Sequence, residues 1–174
     1  MKNLLVQGKC IFLAVIVLLL YGCPYESEVP LGQSANSNID TALVGNWQSK
    51  IADQSESGFV SISPFNEKEL LIVIWEEGKS RRDLYRAYTS SVGDQKFLNI
   101  QEIKAANEKR SWMFAAYSIN GEELTIKIVE DKIFKDKNIA SSTALNDFIK
   151  ANLNSKDLYG GDNGTSMRLS RKKD

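Results

Sequence analysis

Histidine, the side chain that most often carries out acid–base catalysis, is missing from this chain. Its 174 residues contain two cysteines and no histidine. The sequence therefore excludes Ser-His and Cys-His nucleophile activation, imidazole general bases and histidine metal ligands. Carboxylate chemistry, acid–base work by lysine or tyrosine, and plain binding remain. We expect a protein that is not an enzyme and that uses no cofactor and no metal.

Two pairs of neighbouring acids, at 76–77 and 122–123, are candidates for carboxylate chemistry. Neighbours in a strand point to opposite faces, and both pairs adjoin turns, so we interpret them as solvated turn charges. The segment Gly-Asp-Asn-Gly at 161–164 offers oxygen ligands, but too few for a dedicated calcium site. We predict a flexible linker there and no catalytic residue in either acidic pair.

Cys23 is different, because the residues before it define a chemistry for it. Lys2 and Lys9 give a basic start without acids, and residues 10–20 form an apolar run of signal-peptide length. That run is too short to cross a bilayer, which takes about 20 apolar residues. The sequence Leu-Tyr-Gly-Cys at 20–23 resembles the signal of bacterial lipoproteins.

This resemblance implies that a signal peptide, residues 1–22, is cleaved between Gly22 and Cys23. The cysteine would then carry a diacylglyceryl thioether and an amide-linked chain such as palmitate. Each buried methylene contributes about 0.8 kcal/mol, so two or three chains anchor a protein permanently. The implied location is the periplasmic or extracytoplasmic face of a bacterial envelope membrane, outer or inner. The alternative is an uncleaved N-terminal anchor.

The chain after the signal has little net charge. Of 22 basic side chains, Lys2 and Lys9 leave with the signal, so 20 remain against 22 acidic, a formal charge of −2. No basic field is present to attract nucleic acid. Residues 23–42 are rich in Ser, Asn and Pro and predict a flexible tether, with a typical span of roughly 25 Å.

The segment 43–170 has the pattern of an antiparallel β meander that forms a barrel or a strongly curled sheet, followed by a charged tail, 171–174. The dipeptide Asn120-Gly121 predicts a hairpin, because both residues accept positive φ. Eight strands are expected, at 44–51, 58–63, 69–76, 83–91, 97–103, 112–119, 123–129 and 165–170.

One segment breaks the two-residue period. Between 141 and 153, Leu145, Phe148 and Ile149 fall on one face at helical spacing. Ser141 or Ser142 is the expected N-cap. The sequence therefore predicts one helix at about 141–153, before the last strand.

The start of the meander, Leu43-Val-Gly-Asn-Trp47, contains a Gly-x-Trp motif and resembles the lipocalins and other calycins. In that family the glycine lets the chain turn into the barrel, and the tryptophan plugs its closed end beneath an arginine. The resemblance implies that Gly45 and Trp47 form such a plug with Arg168, or with Arg171 as the alternative. The chain also resembles a group of small, uncharacterised bacterial proteins, which implies a fold and no activity.

Aromatic and apolar side chains recur in six of the predicted strands, and inward ones either fill a barrel or line one small cavity. On the fourth strand, Leu84, Arg86 and Tyr88 share a face. If that face is interior, Arg86 would suit an acidic head group; if exterior, it is an ordinary surface residue. The candidate ligand-lining residues are Trp75, Arg86, Tyr88, Trp112, Phe114 and Tyr117.

Three functions are open to such a protein. The first is a membrane-anchored module, held through lipidated Cys23, that binds an apolar or amphipathic small molecule. The second is a packed barrel that docks on an envelope protein. The third, an envelope enzyme, needs a cleft with convergent polar groups. The state of the interior, filled or open, separates the first function from the second.

Overall fold

The computed structural model describes residues 23–50, 57–103, 110–161, 164 and 166–172. The predicted signal peptide, including Gly22, lies outside these residues. So do Ile51 and Thr165 at the ends of two predicted strands, and the last two residues of the charged tail.

Eight antiparallel strands form a closed barrel in which each strand pairs with the next and β8 returns to β1. The closing pairs are Trp47 with Arg171 and Gln48 with Ser170. This confirms the predicted barrel and its strand order. The strands are β1 Gly45–Lys50, β2 Ser57–Pro64, β3 Leu70–Glu76, β4 Asp83–Val92, β5 Gln95–Glu102, β6 Met113–Asn120, β7 Glu123–Ile128 and β8 Ser166–Arg171.

The hairpin between β6 and β7 is tight, as the sequence predicts. Asn120 pairs with Glu123, which leaves Gly121 and Glu122 as the two loop residues. Gly121 has a φ of 58°, a conformation that glycine adopts without steric cost. Asn120 is the last residue of β6, so the turn lies one position later than the Asn-Gly dipeptide indicates.

One helix, α1, spans Ser142–Asn152 and precedes β8, as predicted. The hydroxyl of Ser141 caps it by accepting a hydrogen bond from the Ala144 N–H at 3.2 Å. Leu145 and Ile149 are buried on its inner face. The helix packs on the outside of the barrel, where its apolar side chains meet Phe97 and Phe114. In the described residues, no helix has the length and apolar character needed to cross a membrane.

The segment 23–42, expected to be a flexible tether, lies against the barrel wall. Pro24 pairs with Glu130 and Ser27 with Trp112. The Tyr25 ring stacks on Phe134 with centroids 3.6 Å apart. The mean composition of this segment is that of coil, but a few apolar residues spaced along it, including the buried Leu31, dock it on the wall.

The N-terminal segment, residues 23–42, also has a direction. It starts beside the end of β7, where the Asp131 N–H donates to the Cys23 carbonyl oxygen at 3.0 Å. It ends beside the start of β1, where Asp40 accepts from Lys96 at 2.8 Å and from the Tyr117 hydroxyl at 3.0 Å. The segment therefore runs along the outside of the barrel from one end to the other.

The end of the barrel where β1 starts is closed by an arginine over a tryptophan. The Arg171 guanidinium lies 4.2 Å from the Trp47 ring centroid and donates to the carbonyl oxygens of Ala42 and Val44 at 2.7 and 2.9 Å. Gly45 has a φ of 141°, and a Cβ there would lie 2.4 Å from Arg171 Nη1. A side chain at position 45 would collide with the arginine.

The plug predicted from the sequence is therefore present, but its arginine is Arg171. Arg168 lies three residues earlier in β8 and is exposed. Because side chains alternate along a strand, Arg171 shares the inward face with Leu169, whereas Arg168 points outward. The assignment of Arg168 to the plug was wrong for this reason.

Replacing Arg171 by alanine should lower the free energy of unfolding by about 2–4 kcal/mol. It removes two charge-assisted hydrogen bonds and the stacking on Trp47. Urea unfolding followed by tryptophan fluorescence measures the loss. Arg168→Ala is the matched control on the same strand and should change stability by less than about 0.5 kcal/mol. Equal losses in both variants would contradict the role assigned to Arg171.

Asp40 should make the protein more stable at neutral than at acid pH. Burial alone would raise the pKa of Asp40, but hydrogen bonds from Lys96, Tyr117 and the Ala42 N–H outweigh it and lower that pKa. The stabilisation is therefore complete at neutral pH and is lost as the carboxylate protonates, below about pH 4.

Asp40→Asn should cost about 1–2 kcal/mol at pH 7, and the difference from wild type should shrink at about pH 3. Urea unfolding at both pH values measures it. Asp94→Asn, in the exposed turn after β4, is the control and should match wild type at both pH values. If Asp40→Asn lowers the free energy of unfolding by the same amount at both pH values, this account is contradicted.

Candidate functional site

Alternation along the strands decides which side chains enter the barrel. Opposed pairs such as Ile62 with Ile72 and Leu124 with Leu169 point inward together, as the pairing register requires. These inward residues form one apolar core, and the outward faces of β5 and β6 form a second core with α1. Several strands are therefore apolar on both faces: the inward face contributes to the barrel interior, and the outward face packs under α1.

The inside of the barrel is not filled. A cavity of about 420 Å³ occupies it, and its walls are mainly apolar. Ile62, Ile72, Leu98, Ile126 and Leu169 form its deeper part. In an eight-stranded barrel the interior is just wide enough for side chains to meet or for one small ligand to enter.

The cavity lies toward one end because the inward residues differ in size along the barrel. At the closed end, Trp47, Leu70 and Tyr117 are large and buried. Toward the other end, Val60, Ile74 and the remaining inward aliphatic side chains border the cavity instead of meeting across it. We call this second end, where β3 finishes and β4 begins, the open end, with reference to the described residues: 51–56 and 104–109, which connect strands there, are not among them.

Aromatic and charged side chains surround the cavity at the open end. Trp75 and Phe59 stack with centroids 5.4 Å apart, and both border the cavity. The Arg82 guanidinium lies 5.3 Å from the Trp75 ring centroid. Arg81 forms an ion pair with Asp83, with 2.8 Å between Nε and Oδ1.

A second, smaller cavity adjoins the first at the open end. It has a volume of about 140 Å³ and shares Tyr85 and Met113 with the larger cavity. Its other walls are polar and come from Glu26, Glu102, Arg110 and Ser111. Burial raises the pKa of the Tyr85 hydroxyl, and the nearby carboxylates of Asp83 and Glu102 raise it further. This hydroxyl therefore stays protonated and can donate a hydrogen bond at neutral pH.

Two of the predicted lining residues lie at the two ends of the barrel, Trp75 at the rim of the open end and Tyr117 inside the closed end. Trp75 borders the cavity at the open end. Tyr117 points inward at the closed end, where its hydroxyl donates to Asp40. Burial and the adjacent Asp40 carboxylate raise the pKa of Tyr117. Tyr117 is therefore part of the packed end and does not border the cavity.

The other four predicted lining residues lie on the outside of the barrel. Arg86 and Tyr88 alternate with the inward Tyr85 and Ala87, so their shared face is exterior. The Arg86 guanidinium lies 5.4 Å from the Trp112 ring centroid, and the Tyr88 ring meets Trp112 edge-on at 5.4 Å.

Each of these exterior aromatic residues packs against another element. The Tyr88 hydroxyl donates to the Gly32 carbonyl oxygen at 2.6 Å, and burial raises its pKa to about 12. Trp112 pairs with Ser27 of the N-terminal segment. Phe114 is buried in the outer core, near α1. Their assignment to a ligand-lining surface was wrong because an aromatic residue on a strand can serve either face.

The cavity walls that the sequence prediction missed are aliphatic. Ile72, Ile100 and Ile126 look like ordinary core residues in the sequence, and nothing in their type marks a ligand site. Alternation with Leu71, Asn99 and the other outward residues could have placed them on one face. It could not have shown that the space between them is empty.

Each acidic pair lies where a strand meets a turn: Glu76 is the last residue of β3 and Glu123 the first of β7. Glu76 forms an ion pair with Lys79, and Glu122 with Arg171, at 3.2 and 3.3 Å. Within the described ranges, no group of three or more acidic or cysteine side chains could hold a metal ion. Cys23 is exposed and has a free thiol.

Fold and cavity together define the class of protein: a closed eight-stranded antiparallel barrel with an apolar chamber that adjoins a polar pocket. No family model matches the chain, and no curated protein or solved structure matches it.

Proposed function

We propose that this protein is a lipid-anchored binding module of the bacterial cell envelope that holds an apolar molecule, or the apolar part of an amphipathic one, inside its barrel. The observation that carries the proposal is the aliphatic cavity of about 420 Å³. Ligand pockets generally measure roughly 300–1,000 Å³ and are lined mainly by apolar side chains. The chamber meets both criteria.

The distribution of polar groups supports an amphipathic ligand. Deep in the chamber, Ile72, Leu98 and Ile126 offer no hydrogen-bonding group, so a polar atom there would lose its water without compensation. At the open end, Tyr85 and the polar pocket offer donors and acceptors. A ligand would place its chain inside, where each buried methylene contributes about 0.8 kcal/mol, and its polar group at that end.

Anchorage is the second part of the proposal. It rests on the basic start, the apolar run and the Leu-Tyr-Gly-Cys sequence that ends at Cys23. The exposed position of Cys23 is compatible with attachment of acyl chains to its sulfur and its amino group. Anchored in this way, the module would take its ligand from, or deliver it to, the envelope.

A fluorescent fatty acid should bind saturably to purified residues 23–174 carrying Cys23→Ser, which keeps the N-terminal segment on the barrel. Energy transfer from Trp75 at the open end should rise as the chamber fills. Ile72→Phe fills part of the chamber and should weaken binding about tenfold, which corresponds to about 1.4 kcal/mol.

Val73→Phe is the matched control. Val73 is the next residue of β3, it points outward, and its variant should bind like wild type. Circular dichroism checks that all variants are folded. Wild-type protein that shows no saturable binding would overturn the binding proposal and favour an envelope-docking protein.

Cys23→Ser in the full-length chain should abolish incorporation of labelled palmitate and leave the signal peptide attached, because thioether formation precedes cleavage in the pathway that this signal resembles. Cys10→Ser, within the apolar run, is the control and should label and mature normally. Labelling and electrophoretic mobility report both steps. A Cys23→Ser protein that labels and matures normally would disprove the anchorage.

A further inference from the structure

The N-terminal segment and the chamber meet at the same end of the barrel. Strand β7 runs from the closed end toward the open end, and Asp131 follows it closely. The hydrogen bond from the Asp131 N–H to the Cys23 carbonyl oxygen, and the pairing of Pro24 with Glu130, hold Cys23 there. Whatever precedes or modifies Cys23 therefore leaves the barrel at its open end.

We expect the chain to be attached to a membrane at Cys23 whether the signal peptide is cleaved or retained. If the signal is cleaved, acyl chains are attached at this residue. If it is retained, the apolar run at 10–20 precedes Cys23 by only a few residues. Both cases bring the open end close to the lipid, because residues 24–31 are docked on the barrel and supply no free tether.

The open end also carries most of the exposed large apolar side chains of the described residues. Ile74, Leu84, Ile103 and Met167 are 36, 40, 44 and 37% exposed. The Ile103 N–H donates to the Leu84 carbonyl oxygen at 2.9 Å, so these two are neighbours on the outer wall. Ile74 and Met167 point inward and border the chamber. The remaining one, Phe65, is 55% exposed and lies at the closed end.

We propose that the open end of the barrel rests on the surface of the lipid bilayer, with Leu84 and Ile103 on the outer wall as its contact, so that the chamber and its inward residues Ile74 and Met167 face the membrane. The inference rests on the anchorage proposed above and adds an orientation to it. The acidic and basic side chains of the β3–β4 turn balance: Glu76, Glu77 and Asp83 against Lys79, Arg81 and Arg82. This turn therefore adds no net charge to the contact, and we expect the contact to form on uncharged lipid.

The orientation can be measured with one tryptophan reporter added at a time to the full-length chain, purified and reconstituted in phosphatidylcholine vesicles that contain brominated lipid. The wild-type chain, with Trp47, Trp75 and Trp112, gives the background that is subtracted. Ile103→Trp places the reporter at the open end, and Phe65→Trp places a reporter that is somewhat more exposed at the closed end. Bromine should quench the added fluorescence of the first reporter at least about threefold more than that of the second, because quenching needs contact with lipid. Leu84→Trp repeats the measurement if position 103 does not tolerate the change.

The outcomes separate this inference from the proposed function. Equal quenching of both reporters, or stronger quenching at position 65, would overturn the orientation and leave ligand binding intact. Failure of the wild-type chain to float with the vesicles would overturn anchorage and orientation together. Ile72→Phe should lose ligand affinity and keep the quenching difference, since the lipid contact does not depend on a hollow chamber.

Discussion

The closure of β8 on β1 is the constraint on which the rest of the structure depends. It is made at the pair of Trp47 with Arg171, and the same arginine reaches the carbonyl oxygens of Ala42 and Val44. Closure removes the free edges that a sheet of this size would expose. It also creates an inside and an outside, so several strands border two separate apolar environments.

The two apolar environments contribute differently to the structure. The outer core, with Phe97 and Phe114 under α1, supplies burial that does not depend on the barrel interior. The interior can therefore remain partly empty without leaving the domain short of apolar contacts. The N-terminal segment extends the outer core by adding Leu31 and by bonding to Asn99, whose Oδ1 accepts from the Leu31 N–H at 2.8 Å.

The strands, the hairpin at Gly121 and the helix were predictable because each depends on residues close together in sequence. Which face of each strand points into the barrel was not predictable. Arg86 and Tyr88 share a face with Leu84 by simple alternation, but both faces of β4 carry apolar residues, and only the closed barrel distinguishes them. Arg168 and Arg171 likewise lie on opposite faces of β8, because side chains alternate along a strand. The sequence did not indicate which of these two faces points into the barrel.

The N-terminal segment and the chamber escaped prediction for related reasons. Composition averaged over 20 residues hides the docking of Tyr25 and Leu31, because two or three contacts are enough to fix a short segment. An empty volume depends on the side chains of all eight strands at one level of the barrel. No local pattern reports that sum, and Ile72 in an empty barrel looks the same in sequence as Ile72 in a full one.

The aliphatic walls have a consequence for selectivity. An apolar surface distinguishes two ligands that differ by one methylene by only about 1–3 kcal/mol, and it offers no directional contact that would reject a related chain. The chamber should therefore sort molecules by length and bulk and tolerate variation in their branching. In the proposed binding function, discrimination by chemical type would fall to the few polar side chains where the chamber ends, because only they make directional contacts.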